Sequence, residues 1–306
     1  MKVLVTGGAG FIGSHLTDRL IQEGHAVVVV DNLSTGSKKN VHKQATFYKA
    51  DIVSSNLGRI FQKEQPQMVC HYAAQMDVRK SVEDPAWDAK NNIIGFLNVL
   101  ALSVQNKARR VIFASSGGAI YGEQECYPAT EEHPTRPISP YGISKLSGEH
   151  YLFYYKTVCG LEYTALRFAN VYGPRQFPFG EAGVVAIFTQ KLIRGEQPVI
   201  NGNGMQTRDY VYVSDIIDAN MAVINSDVNG TFNIGTGQET SVNTLFQTLL
   251  EQTGANVKQV HGAQKEGEQL RSCLDFGKIN RTLGWEPAVS MKDGLAETIR
   301  FFRALL

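Results

Sequence analysis

Valine-rich runs and stretches of helical periodicity alternate along the first half of the chain. Lys2 to Thr6 (KVLVT) and Ala26 to Asp31 (AVVVVD) are short, continuous apolar runs, the signature of strands covered on both faces. Between them, Phe11 to Gly24 repeats its apolar residues at helical spacing, so the opening reads strand, helix, strand. Further strands are expected at Met68 to Tyr72, Arg110 to Ser115 and Glu162 to Phe168, with helices at Ala89 to Gln105 and Ser139 to Lys156. Parallel strands need crossover connections of this length. The alternation therefore predicts the α/β class with a doubly wound parallel sheet.

Past Asn170 the texture changes. Tyr172-Gly173-Pro174-Arg175 and Phe177 to Gly183 are rich in turn formers, and short mixed elements follow. Residues 1–170 are expected to form the sheet domain and residues 171–306 a smaller, mixed α/β lobe. A segment near 213–235 is expected to return to the first sheet, because Val213 to Asn225 reads as a helix able to pack there. No internal repeat is visible.

Composition narrows the function classes. With 306 residues, 43% of them apolar, the chain can fill one large core or two modest ones. The net charge is +1 and no basic run exceeds Lys38-Lys39, so the concentrated positive field that nucleic acids require is missing; a small-molecule partner is expected instead. Cys70, Cys126, Cys159 and Cys273 are scattered without CxxC spacing, which argues against a metal site. No apolar stretch reaches a membrane span, and Met1 leads straight into a strand without a signal-like apolar region. No membrane association is expected, and the cytoplasm is the expected location.

Candidate chemistry starts at Gly7, Gly10 and Gly13, a G-x-x-G-x-x-G loop between the first strand and its helix. Backbone amides and the helix dipole at such a turn can hold a pyrophosphate. Asp31 ends the second strand 18 residues past Gly13, where a carboxylate would accept the adenosine ribose hydroxyls and repel a 2′-phosphate. This favours NAD and a Rossmann fold; NADP is disfavoured, and a plain strand-ending turn is the alternative for Asp31. Tyr141 and Lys145 stand four apart in YGISK, on one face of a predicted helix. A phenol is a weak base at neutral pH, but a neighbouring ammonium and a positive nicotinamide ring are expected to draw its pKa down. Without its context the pair would be a surface contact.

Several stretches then carry a resemblance: TGGAGFIG at Thr6 to Gly13, DNLSTG at Asp31 to Gly36, HYAAQMDVRKS at His71 to Ser81, SSGGAIYGE at Ser115 to Glu123, YGISK, RFANVYGPRQ at Arg167 to Gln176, RDYVYVSD at Arg208 to Asp215 and GEQLRSCLD at Gly267 to Asp275. Together they resemble the extended short-chain dehydrogenase/reductase family, above all its UDP-glucose 4-epimerases, over nearly the whole chain. The resemblance implies a 4-epimerase of a UDP-hexose: NAD oxidises C4, the 4-keto sugar turns over, and the hydride returns to the opposite face. It implies that Phe11, Ile12, Asn32, Ser34, Thr35, Gly36, Asp51, Ile52, Ala73, Ala74, Asn92 and Phe168 line the cofactor with the glycines and Asp31, and that Lys145 contacts the nicotinamide ribose. For Asp51 and Asn92, turn formation and helix hydrogen bonding are the alternatives. It further implies that Asn170 and Arg208 hold the diphosphate, with Arg271 and Glu268 near the diphosphate and ribose. A homodimer through a four-helix bundle, built from the helices near Ala89 to Gln105 and Ser139 to Lys156, is also implied; their apolar faces could equally be core.

Two departures qualify the expectation. The position where these epimerases carry a catalytic Ser or Thr is Gly117, so Ser116 is the expected third member beside Tyr141 and Lys145, bonding the 4-hydroxyl directly or through water, with a structural role in the strand end as the alternative. The Asp-Glu pair that serves elimination in the related 4,6-dehydratases is replaced by Gly118 and Ala119, which leaves oxidation and re-reduction at one carbon. Ser272 stands where some epimerases have a bulky Tyr, so UDP-N-acetylhexosamines are expected substrates beside UDP-glucose and UDP-galactose. Arg271 leaves a UDP-glucuronate epimerase open. From another class, a non-catalytic NAD-sensing regulatory protein would have no need of a Tyr-Lys pair.

Overall fold

The computed structural model describes residues 1–178, 183–264 and 269–306. In chain order it begins with β1 (Lys2–Thr6), α1 (Phe11–Gln22), β2 (Ala26–Asp31), β3 (Thr46–Lys49), α2 (Asn56–Glu64), β4 (Met68–His71), α3 (Val78–Glu83) and α4 (Pro85–Ala89). A π-helical turn over Lys90–Ile94 leads into α5 (Gly95–Gln105), followed by β5 (Arg110–Ser116), α6 (Gly117–Ile120), α7 (Pro140–Cys159), β6 (Glu162–Phe168) and β7 (Asn170–Tyr172). Next come α8 (Val184–Ile193), β8 (Ile200–Asn201), β9 (Thr207–Arg208), β10 (Tyr210–Tyr212), α9 (Val213–Ile224) and β11 (Gly230–Ile234). The chain ends with β12 (Thr240–Ser241), α10 (Val242–Thr253), β13 (His261–Gly262), α11 (Gly277–Leu283) and α12 (Met291–Arg303).

One seven-stranded sheet in the order β11-β6-β5-β4-β1-β2-β3 organises the molecule. Every pairing in it is parallel, and Val3, Val5, Val28, Val29 and Val69 are buried. Helices cover both faces and leave two apolar layers, one against α1 and α9 and one against α2, α5 and α7. The doubly wound class expected from the alternation is the observed one. α9 and β11 belong to this body: β11 pairs with β6 from Gly230↔Thr164 to Ile234↔Phe168. A separate apolar cluster joins α8, α10 and α12 around Phe188, Phe246 and Leu295.

Two differences from the sequence expectation bear on the site. The helix expected over Ala89 to Gln105 is α4, a π-helical turn and α5 in succession. Such one-turn expansions recur at functional sites. An edge strand, β3, and the helix α2 lie in a region given no elements from sequence.

The order reverses between β1 and β4, which lead outward to β2 and β5 respectively. A doubly wound sheet binds its ligands in the crevice beyond the carboxyl ends of the strands at this point. β1, β2, β4, β5 and β6 all deliver their terminal residues to that edge.

Candidate functional site

The first turn after β1 is built for close approach. Gly7 has φ +71°, and a Cβ there would sit 2.5 Å from the Ala73 nitrogen. At Gly13 it would lie 2.3 Å from the Gly7 carbonyl oxygen, and at Gly36 3.0 Å from that of Ala9. Backbone crowds all three positions, so they must be glycine. α1 is capped by Gly10, which has no side chain to accept from the first-turn amides; those donors at Phe11 and Ile12 point along the helix start, where an anion is favoured.

Asp31 closes the far side of this cradle. It is 7% exposed, and its carboxylate accepts from the amides of Ala9 at 2.9 Å and Leu33 at 2.8 Å. Each oxygen retains acceptor capacity for a ribose hydroxyl. Asn32 donates to Asp51 at 2.9 Å and accepts from the Ser34 amide at 2.9 Å, which ties the turns after β2 and β3 together. Ser34 and Thr35 are exposed beside Gly36, and Ile52 is buried with its carbonyl accepting from Asn98 at 2.6 Å. Ala73 and Ala74 follow β4, directly across from Gly7, and Phe168 ends β6. The donors, the carboxylate and the missing side chains fit a dinucleotide.

Asn92 lies in the π-helical turn with its side chain fully engaged. It accepts from the Gln75 amide at 2.9 Å and donates to the Gln75 carbonyl at 2.8 Å and to Asp88 at 2.9 Å. The loop Ala73-Ala74-Gln75 is thereby fixed to the helix beneath it.

α7 places the candidate catalytic pair. Ser139 caps it, accepting from the Gly142 amide at 3.1 Å, Pro140 occupies its first turn, and Gly160 ends it at φ +71°. Two glycines let it press on its neighbours: a Cβ at Gly142 would lie 2.6 Å from the Ala119 carbonyl oxygen, and one at Gly148 2.7 Å from the Phe113 ring. Tyr141 therefore stands over the end of β5, where its phenol hydrogen-bonds Ser116. Lys145, 5% exposed, donates to the Ala114 carbonyl at 2.8 Å and lies 5.7 Å from the Tyr141 ring centre. Ser116, Tyr141 and Lys145 are thus brought together.

The phenol was expected to be acidified by the lysine and a positive nicotinamide ring together; the protein's own groups, without the ring, do not lower it. Burial pushes Tyr141 up to about 12; the Ser116 hydrogen bond opposes this and the charge of Asp88 adds to it. The ammonium is turned toward the Ala114 carbonyl instead of the phenol oxygen. Burial also pulls Lys145 down to about 8, against the raising effects of Asp88 and Glu149. Burial shifts both groups toward their uncharged forms, because desolvation penalises ions of either sign.

A side chain at Gly117 would require Leu274 to move. Its Cβ would lie 2.4 Å from Leu274 Cδ1, so the space of the familiar hydroxyl is filled by a leucine. Beside it, the Asn170 amide oxygen is 3.6 Å from where a Gly118 Cβ would stand. The Asn170 amide donates to the Asp209 carbonyl at 2.9 Å, which sets β7 against the Arg208 strand. The Thr207 and Asp209 amides donate to the Leu270 and Ser272 carbonyls, each at 2.9 Å, so Asn170, Arg208 and Arg271 sit on adjoining stretches. Arg271 forms a two-point ion pair with Glu239, at 2.9 and 2.5 Å, and lies 3.7 Å over the Tyr127 ring. Glu268 lies outside the described residues.

Sequence reasoning missed a buried polar frame behind the pair. Glu149 binds Arg167 through both carboxylate oxygens, at 2.7 to 3.2 Å, and accepts from Ser115 at 2.5 Å. Arg167 donates to the Tyr121 hydroxyl at 2.7 Å, which donates to Asn233 at 2.7 Å. Asp88 is wholly buried and accepts from Ser144, Asn92 and Gln75. The spacing of Asp88 and Asn92, four apart, and of Lys145 and Glu149, likewise four apart, was the available signal.

A doubly wound sheet with a glycine cradle, a buried carboxylate at the end of its second strand and a Tyr-Lys pair at its carboxyl edge defines a dinucleotide-dependent α/β enzyme. The chain belongs to the NAD dependent epimerase/dehydratase family, whose sequence profile matches residues 3–235. It is similar to the UDP-glucose 4-epimerase of Thermotoga maritima solved with UDP-glucose, at 50% identity and TM-score 0.98, covering 100% of this chain and 99% of that one. The Thermus thermophilus UDP-glucose 4-epimerase in complex with NAD is 40% identical, with TM-score 0.96 and full coverage of both chains. A UDP-N-acetylglucosamine 4-epimerase from Methanobrevibacter ruminantium, in complex with UDP-N-acetylmuramic acid, is 34% identical, with TM-score 0.93 and coverage of 100% and 99%. NAD is accordingly the cofactor of this enzyme class.

Proposed function

We propose that the protein interconverts the C4 epimers of a UDP-hexose, UDP-glucose and UDP-galactose first, with Tyr141 as the base. The observation that carries this reading is the grouping of Ser116, Tyr141 and Lys145 at the cofactor edge, next to Gly118 and Ala119. Those two positions offer no acid or base for elimination. NAD held by Gly7, Gly10, Gly13, Asp31 and their neighbours supplies the hydride acceptor and, in its oxidised ring, a positive charge.

Tyr141 takes the proton of the 4-hydroxyl and later gives it back. Ser116, already bonded to the phenol oxygen, stabilises its anionic form and reaches toward the same hydroxyl. Lys145 adds a positive charge one helical turn below. Asn170, Arg208 and Arg271, with Glu268, serve the diphosphate and ribose through charge-assisted bonds. Ser272, a small buried residue, supports acceptance of 2-acetamido sugars. Arg271 is held in place by a two-point ion pair with Glu239.

Exposed apolar side chains on one flank, Ile94, Ile143, Tyr151, Tyr154 and Val158, support a homodimer through α5 and α7. Among the described residues no helix is long and apolar enough to cross a membrane.

The test is conversion of UDP-galactose and of UDP-N-acetylgalactosamine by purified protein with NAD, run beside Tyr141→Phe. Both sugars should be converted, and the variant should lose about 10²- to 10⁴-fold in kcat. Conversion of UDP-glucuronate alone, or a Tyr141→Phe enzyme of undiminished rate, would overturn the reading.

A further inference from the structure

We propose that Asp88 is a positioning residue for the epimerase reaction: its sealed carboxylate locks the helix bearing Tyr141 and Lys145 to the cofactor-side loop after β4 and gives that face of the site a fixed negative charge. The inference rests on the reading of Tyr141 as the base.

Asp88 sits near the end of α4 and has no exposed surface. One oxygen accepts from the Ser144 hydroxyl at 2.7 Å; the other accepts from Asn92 at 2.9 Å and Gln75 at 3.1 Å. All three partners donate, the pattern an ionised carboxylate takes. They come from three separate elements: Ser144 from α7, directly before Lys145; Asn92 from the π-helical turn; and Gln75 from the loop facing Gly7. The same corner holds the start of α7 a second way, since the Tyr141 amide donates to Ser81 at 3.2 Å. One charged group therefore ties the reacting helix to the loop that crosses the cofactor cradle.

Its charge faces both reacting groups. Asp88 raises the pKa of Tyr141 and that of Lys145 together. The other titratable groups packed around the pair are few. Glu149 on α7 is spoken for by Arg167 of β6, and His71 of β4 is driven well below its ordinary pKa, by burial and then by Lys145, and stays neutral. Arg79 and Lys80 of α3 and Lys90 of the π-helical turn are exposed; β5, α5 and α6 carry no ionisable residue near the pair beyond these. A negative charge that delays both deprotonations sets the pH range in which the phenol is ionised and the lysine still charged.

The experiment is the pH profile of kcat/KM for UDP-galactose, measured on the NAD-loaded enzyme and on Asp88→Asn, Asp88→Ser, Asp88→Glu and Ser144→Ala. Removing the charge should move both limbs to lower pH by at least about 0.5 unit, as loss of a near carboxylate does. Asp88→Glu and Ser144→Ala keep a carboxylate and should change the rate without moving the limbs. If the limbs of both neutral variants stay in place, or if neither neutral variant folds while Asp88→Glu does, Asp88 is only a packing residue and the proposal falls. Tyr141→Phe is the separate control: if it is inactive while the limbs stay fixed, the base assignment stands and only the role of Asp88 is lost.

Discussion

Replacing Gly117 by Ser tests whether Leu274 excludes a hydroxyl from the position where the family resemblance would place one. The new Cβ would lie 2.4 Å from Leu274 Cδ1, 2.9 Å from Cδ2 and 3.2 Å from Cγ, well inside contact distance. Leu274 cannot withdraw easily. It is fully buried, its amide donates to Asp209 at 3.2 Å, and its strand bridges Ala129. Overpacking of this kind costs about 1–3 kcal/mol, while Leu274→Ala alone leaves a cavity costing about 2–5 kcal/mol. In the double variant the serine occupies space the leucine has left. The two penalties should therefore fall short of their sum by at least about 1 kcal/mol, as expected of residues in contact. Urea midpoints of the four proteins at one fixed NAD concentration measure the coupling, and the UDP-galactose rate of the double variant shows whether a hydroxyl at 117 adds to that at Ser116. A Gly117→Ser protein as stable as the parent, or strict additivity within about 0.5 kcal/mol, would refute this account of the site.

Ser116→Ala removes the bond that lowers the Tyr141 pKa, so the ascending limb of the kcat/KM profile should move to higher pH, opposite to the shift expected at Asp88. Gly13→Ala places a methyl carbon 2.3 Å from the Gly7 carbonyl oxygen; purified protein should carry no NAD, read by absorbance after heat release, even where circular dichroism shows the fold intact. Glu149→Gln leaves the Arg167 guanidinium buried with half its pairing, which should cost about 3–5 kcal/mol in unfolding experiments. Lys145→Met should raise stability near neutral pH by up to about 3 kcal/mol, because the folded lysine titrates at about 8 and the unfolded one at 10.5. Between those values the unfolded chain binds the extra proton, so parental stability climbs with pH and the advantage of the variant should fade by about pH 10.5.

The parts of the fold legible in the sequence were those whose cause is local. β1 and β2 announce themselves because strands covered on both faces need unbroken apolar runs, and Gly7, Gly10 and Gly13 because backbone contacts forbid a side chain. β3 escaped because Thr46–Lys49 is an edge strand with exposed polar ends; its partner β2 makes it a strand, not its composition. The break in the helix before α5 was hidden for a similar reason. Asp88 and Asn92 look like ordinary helix polars until the loop at Gln75 is seen to need both.

The same division explains the site. Tyr141 and Lys145 were visible as a pair one turn apart, and their distance along the helix is a property of the helix alone. Their charge states depend on what surrounds them, and there the local expectation went the other way: burial raises the phenol to about 12 and lowers the lysine to about 8. Neither group is ready for proton transfer by virtue of the other. What the protein contributes on its own is a buried, pre-positioned acid-base pair whose ionisation is costly, with Ser116 easing it and Asp88 resisting it at the phenol. A positive cofactor ring brought into that low-dielectric corner would act with little screening, so on the proposed reading oxidised cofactor, together with the lysine, would turn the phenol into a base. On that reading the pair would be coupled to the redox state of the cofactor: Tyr141 would be a weak base beside reduced cofactor and a stronger one beside oxidised cofactor, the order in which an epimerase must first remove a proton and then return it.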